Sequence, residues 1–169
     1  MRREGGFEAR PYRTAAGLAA LTGLRSMAGP ALLSRAVRRG HVKGLQGTRF
    51  AALGYPKVST ALQTLMIGEM VADKTPFIPA RTSAPALLGR ALSGALVGAT
   101  LFAAAERRAS SSVVLGALCA VAAAYTGEKL RVEGPEKLGV SSLILGLLED
   151  GIVLFGGTRL LRKKPQERT

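Results

Sequence analysis

Six ionisable residues stand where their neighbours are apolar: Arg25, Glu69, Asp73, Lys74, Glu149 and Asp150. Each lies within, or at the edge of, a run dominated by Ala, Leu, Val and Gly. Glu69 and Asp73 are four residues apart, so a helix places them on one face. At the end of their run they fall in the last turn, where the helix dipole disfavours carboxylates and like charges repel. Something positive must offset them, and Lys74, Arg25 and Arg81 are the candidates. Glu149 and Asp150 are adjacent in Leu147-Leu148-Glu149-Asp150-Gly151 and point about 100° apart on a helix. Both face a bundle interior only if that interior is wide or wet.

A charge at the centre of a bilayer costs roughly 2.5–3.5 kcal/mol on insertion scales, so these side chains demand a reason. Two readings compete. In one, Arg25 and the carboxylates form buried ion pairs that fix helix packing. In the other, the six residues and Ser26 line a path or pocket for a proton, a cation or a small solute. Broken helices lined by charge are where transporters place their sites, so the expected function is a channel or transporter component, with a non-catalytic membrane scaffold or lipid-binding protein as the alternative. Four carboxylates against Arg25 and Lys74 leave a surplus of negative charge, which favours a cation or proton over an anion. An enzyme ranks third: carboxylates serve as general acids and bases, but nothing places a substrate beside them.

Other chemistries lack their residues. The single cysteine, Cys119, excludes an internal disulfide, and its apolar surroundings read as those of a small buried hydrophobe. The single histidine, His41, lies among Arg38, Arg39 and Lys43, so neither a zinc site of the usual His and Cys kind nor a nucleophile–histidine pair is supported. No metal or cofactor is implied.

The elements that must position these residues are set by the composition. The chain has 169 residues, 24 Lys and Arg against 11 Asp and Glu, and a formal charge of +13. It is nevertheless net hydrophobic, with a mean hydropathy of +0.21. A disordered basic tail is poor in Leu, Ile and Val, and a nucleic-acid binder wants aromatic stacking residues beside its cations. Neither description fits, and no nucleic-acid partner is expected. Small residues and Leu, with basic residues between the blocks, are the composition of a helical membrane protein.

Five apolar stretches are separated by charge clusters. The first, Thr14 to Ser34, is broken near Arg25: Gly29 and Pro30 predict two short helices, Thr14 to Leu24 and Pro30 to Arg39, with a continuous kinked helix as the alternative. A cleaved signal peptide is disfavoured, because Ala15 to Leu24 ends in Arg25 without a small-x-small site. The second runs from Pro56 to Ala72 and is closed by Pro76 and Pro79; the third begins behind Ser83 and Pro85 and reaches Ala105. The fourth, Ala109 to Gly127, has 19 uncharged residues, and Gly134 and Pro135 end the charged segment behind it. The fifth, Leu138 to Thr158, starts behind Ser141 and Ser142. No stretch alternates with period two.

The expected fold is therefore all-α: a multi-pass bundle of four to five transmembrane helices with a broken or re-entrant helix near Arg25. Residues 1–13 form a basic extension, 14–161 the membrane domain and 162–169 a basic tail. Five crossings divide the basic residues ten against thirteen, a weak tilt towards a cytoplasmic C-terminus that reverses parity if the first stretch is re-entrant. The plasma (inner) membrane is the default location, and the bilayer with anionic lipid headgroups the expected partner. Gly94-x-x-x-Gly98, and small-residue pairs that include Gly116 and Gly127, allow close helix contact, within the chain more readily than in a homo-oligomer.

At Gly23-Leu24-Arg25-Ser26-Met27, Glu69-x-x-Ala72-Asp73-Lys74-x-Pro76, Ser93-Gly94-Ala95-Leu96-x-Gly98-Ala99 and Leu147-Leu148-Glu149-Asp150 the sequence resembles a family of small integral membrane proteins, domain of unknown function 4126. The resemblance covers about Ala15 to Leu161, with the motifs in family order. It implies a multi-pass membrane protein and no particular activity. The basic N-terminal extension and the basic segment Arg35 to Lys57 depart from that pattern.

Overall fold

The computed structural model describes residues 11–73, 82–106 and 110–161. It is all-helical: α1 (Pro11–Leu24), α2 (Ala28–Arg38), α3 (Pro56–Ala72), α4 (Ala84–Ala104), α5 (Ser110–Leu138) and α6 (Ser142–Leu161), with a 3-10 turn at Arg49–Gly54 between α2 and α3.

The first stretch is broken where its proline predicts. Ala28 N–H closes a tight turn onto Arg25 C=O at 3.0 Å, and Pro30, which has no N–H to lose, sits in the first turn of α2. The new helix folds back on the old one. A Cβ on Gly29 would overlap Thr22 Oγ1 and lie 3.3 Å from Leu18 O, so only glycine permits that approach. The boundaries shift slightly: α1 starts at Pro11 instead of Thr14, and α2 covers Ala28–Arg38 instead of Pro30 to Arg39.

Contacts along the helices fix their directions. Tyr12 and Phe102 meet edge to face at 4.7 Å, and Arg90 Nε donates to Gly23 O at 3.0 Å, so α1 and α4 are antiparallel. Gly94 and Gly116 abut backbone to backbone, and Gly98 abuts Ser112, which makes α4 and α5 antiparallel with no room for a side chain between them. Gly94 and Gly98 both face α5 of the same chain, and Gly127 is buried farther along α5. Gly17 against Leu160 with Leu21 against Gly157, and Gly134 against Leu145 with Arg131 against Gly146, set α6 antiparallel to both α1 and α5. Leu18, Leu33, Leu101, Phe102 and Val153 fill the interior.

One expected boundary fails. α5, which carries the fourth apolar stretch, does not stop at Gly134 and Pro135 but continues to Leu138, with Pro135 inside it. A proline so near the end removes one hydrogen bond and leaves the last turn intact. The stop is Gly139, whose φ of +64° suits the left-handed position that closes a helix; its N–H bonds Pro135 O at 3.1 Å.

Against the expected four to five spans, two helices among the described residues are both long and apolar enough to cross a membrane: Ala84–Ala104 and, in α5, Ser111–Leu138. α6 has the length, at 20 residues, but carries Glu149, Asp150 and Arg159. α3 has 17 residues, about 25 Å of helix, which is short for a bilayer core.

Candidate functional site

The α1–α2 break leaves two helix ends inside the bundle, one rich in orphan carbonyls and the other in orphan N–H groups. Each meets an opposite charge. At the end of α1, Arg90 of α4 donates to Gly23 O, and to Ala86 O in its own helix at 3.2 Å. At the start of α2, Glu69 of α3 accepts three hydrogen bonds: from Ser26 N at 2.7 Å and Ser26 Oγ at 2.8 Å on Oε1, and from Met27 N at 2.9 Å on Oε2. Arg90 and Glu69 stand 3.9 Å apart. The sequence places Glu69 at the unfavourable end of its own helix. The fold sets it at the favourable end of another, where the dipole and the open N–H groups attract a carboxylate.

The second assembly is a closed circuit of charge. Arg25, 1% exposed, donates from Nε to Asp150 Oδ1 at 2.8 Å and from Nη1 to Asp73 Oδ2. Asp73 also receives Arg131 Nη1 at 2.9 Å, and Arg131 Nη2 reaches Glu149 Oε2 at 3.0 Å. The order Asp150, Arg25, Asp73, Arg131, Glu149 returns to its start, because Glu149 and Asp150 are neighbours in α6. Their divergence is therefore not a demand for a wide cavity: each points at a different arginine. The circuit ties α6, the α1–α2 turn, the end of α3 and α5 together.

The structure thus brings together Arg25, Ser26, Glu69, Asp73, Glu149 and Asp150, in two adjoining networks. Lys74 and Arg81 lie outside the described residues. The carboxylate facing Arg25 from α6 is that of Asp150, while Glu149 answers Arg131. Arg131 itself is the residue the sequence reading missed, because it lies beyond the uncharged run and counts as a loop cation. A signal was present. Ser112, Gly116, Ala120, Ala124 and Gly127 form a stripe of small residues at helical spacing, and its next member is Arg131.

Among the described residues, two buried guanidinium donors, Arg25 Nη2 and Arg131 Nε, have no protein acceptor, and the buried Ser83 hydroxyl has no partner. Buried donors of this kind are ordinarily satisfied by water. Among the described residues no group of three or more His, Cys, Asp or Glu is placed to hold a metal ion. The arrangement binds carboxylates to arginines and to a helix end.

The family described as Domain of unknown function (DUF4126) matches residues 13–161, and the chain belongs to that family. No curated protein and no solved structure matches the chain.

Proposed function

We propose that this member of the family is a non-catalytic integral membrane protein of the scaffold or lipid-binding kind, whose buried ion pairs hold together a bundle built around a broken helix. In this reading α4, α5 and α6 cross the plasma membrane together with α3, whose 17 residues are at the lower limit for a span, and the α1–α2 hairpin enters and returns on one side. The observation that carries it is the inverted polarity of α6. Glu149 and Asp150 are buried, while Leu147, Leu148, Ile152 and Phe155 on the same helix are exposed, Phe155 by 69%. Leu65, Ile67 and Val71 of α3, and Leu88 and Leu92 of α4, are exposed as well. Water would reverse that pattern; lipid favours it, because hydrocarbon solvates leucine and forces charges inward and into pairs.

The non-catalytic part of the reading rests on the pairing. Every carboxylate of the two networks is engaged by arginine or by backbone N–H, which leaves none poised to exchange protons with a substrate. A second reading, a path for a proton, a cation or a small solute, draws on Arg25 Nη2 and Arg131 Nε, the two donors that invite internal water. Ion and proton flux in liposomes carrying the purified protein separates the two. The scaffold reading predicts no flux above empty liposomes across several ions. Flux that is abolished in Glu149→Gln/Asp150→Asn, with the variant still folded in detergent, contradicts it and puts the circuit on a permeation path.

A further inference from the structure

The two ends of the bundle differ in charge more than a count along the sequence suggests. Because α2 folds back on α1, the start of α1 lies at the same end as the segment after α2. A Cβ on Gly44 would overlap Ala104 O, which places that segment at the end of α4, beside the Tyr12–Phe102 contact. The end of α6 is there too, since Leu160 packs on Gly17. The antiparallel order puts the start of α5 at this end as well.

The segment between α2 and α3 is a folded shelf. Val42, Leu45 and Leu53 are buried beneath it, and Ser34 Oγ donates to Leu53 O at 2.5 Å. Gly40, Gly44 and Gly47, all at positive φ, let the chain double back over this short distance. The outer side is uniformly cationic: Arg35, Arg38, Arg39, Lys43, Arg49 and Lys57 are all exposed. No Asp or Glu occurs between Glu8 and Glu69. Exposed Arg13 and Arg159 lie at the same end, as do Tyr12 and Tyr55, exposed by 49% and 62%, and one exposed carboxylate, Glu106, just past α4. At the opposite end, Glu128, Glu133 and Glu136 accompany Lys129 and Lys137, and Glu133 pairs with both lysines.

We infer that the shelf is a docking surface for the anionic phospholipid headgroups of one leaflet, and that this end of the bundle is cytoplasmic. The inference rests on the membrane reading above and adds to it a lipid class and an orientation. Clustered Lys and Arg beside membrane helices are attracted to anionic headgroups, by about 1 kcal/mol per residue near the surface. Cytoplasmic loops carry the cationic excess, and tyrosines mark the interface. Among the described residues other than Arg25, five crossings divide the cations five against seven; with α1 and α2 as a hairpin Arg13 joins the shelf's side and the division becomes four against eight, with Arg90 and Arg131 of the four engaged in ion pairs. An even number of crossings brings both ends of the described chain to that side.

The test uses the full chain in a bacterial inner membrane, with Cys119→Ala as background and a single cysteine at Gln46→Cys in the shelf or Glu136→Cys at the opposite end. A membrane-impermeant maleimide applied to intact spheroplasts should label Glu136→Cys, and label Gln46→Cys only after lysis. The reverse pattern, or equal labelling of both, overturns the orientation. Extraction of the protein by alkaline carbonate contradicts the membrane reading itself, a distinguishable failure. In parallel, native mass spectrometry of purified protein offered phosphatidylglycerol and phosphatidylcholine in equal amounts should show phosphatidylglycerol retained several-fold in excess. Arg38→Gln/Arg39→Gln/Lys43→Gln should erase that excess. Equal retention, or displacement of the lipid by inorganic phosphate or a short oligonucleotide, overturns the headgroup assignment.

Discussion

Arg25 and Asp150, 125 residues apart in sequence, meet at 2.8 Å inside the bundle, and the same guanidinium grips Asp73. One side chain in a helix break thereby joins the middle of α6 to the end of α3. A buried ion pair adds little net stability over a well-packed apolar pair, but removing one partner strands the other at a cost of about 3–5 kcal/mol. The circuit is therefore expected to be sensitive to single changes.

Each carboxylate of the circuit faces a guanidinium inside the bundle: Asp73 receives Arg25 and Arg131, Asp150 receives Arg25, and Glu149 receives Arg131. Asp73→Asn, Asp150→Asn and Glu149→Gln should each destabilise the protein by about 3 kcal/mol or more, because each strands an arginine there. Reversible unfolding in mixed detergent micelles gives the three costs. A cost no larger than that of an exposed ion pair, about 1 kcal/mol, would refute it.

Glu69 acts at the start of α2, so its loss should be local. Glu69→Ala removes a charged acceptor from three donors and should cost about 2 kcal/mol or more, while Ser26→Ala removes one hydrogen bond and should cost about 1 kcal/mol. Amide exchange at Ser26 and Met27 should accelerate in Glu69→Ala while the α4 amides stay protected. Unchanged exchange at those two amides would exclude the cap.

The α4–α5 seam makes a steric prediction. Any Cβ on Gly116 would overlap Gly94 O, which is backbone and cannot rotate away. Gly116→Ala should cost about 1–3 kcal/mol through forced separation of the helices, without changing the mass of the purified species. Light scattering and unfolding on one sample check both. A variant that changes oligomeric state at unaltered stability would move this seam to an interface between chains.

Much of this fold is legible in the sequence because its punctuation is strong. Pro56 opens α3, Ser83 and Pro85 open α4, Pro30 marks the break, and charge clusters separate the runs. Burial cost alone singles out Arg25, Glu69, Asp73, Glu149 and Asp150. What it does not supply is partnership. Nothing local says that Glu69 leaves its own helix dipole for another's, or that Glu149 and Asp150 part company towards two arginines, since both depend on how α1 folds back. Arg131 escapes notice for the opposite reason: it stands among Glu128, Lys129 and Glu133, where a charged residue reads as solvated.

If these charges hold the fold together, Arg25 and Asp150 are energetically coupled, and a double-mutant cycle measures that coupling. Arg25→Gln, Asp150→Asn and the double variant would be unfolded reversibly in the same detergent mixture and compared with the unaltered chain. Strong non-additivity is expected, with the double variant less damaged than the two single costs together by about 1 kcal/mol or more. Costs that simply add, with a coupling energy indistinguishable from zero, would show that the pair does not hold the helices together.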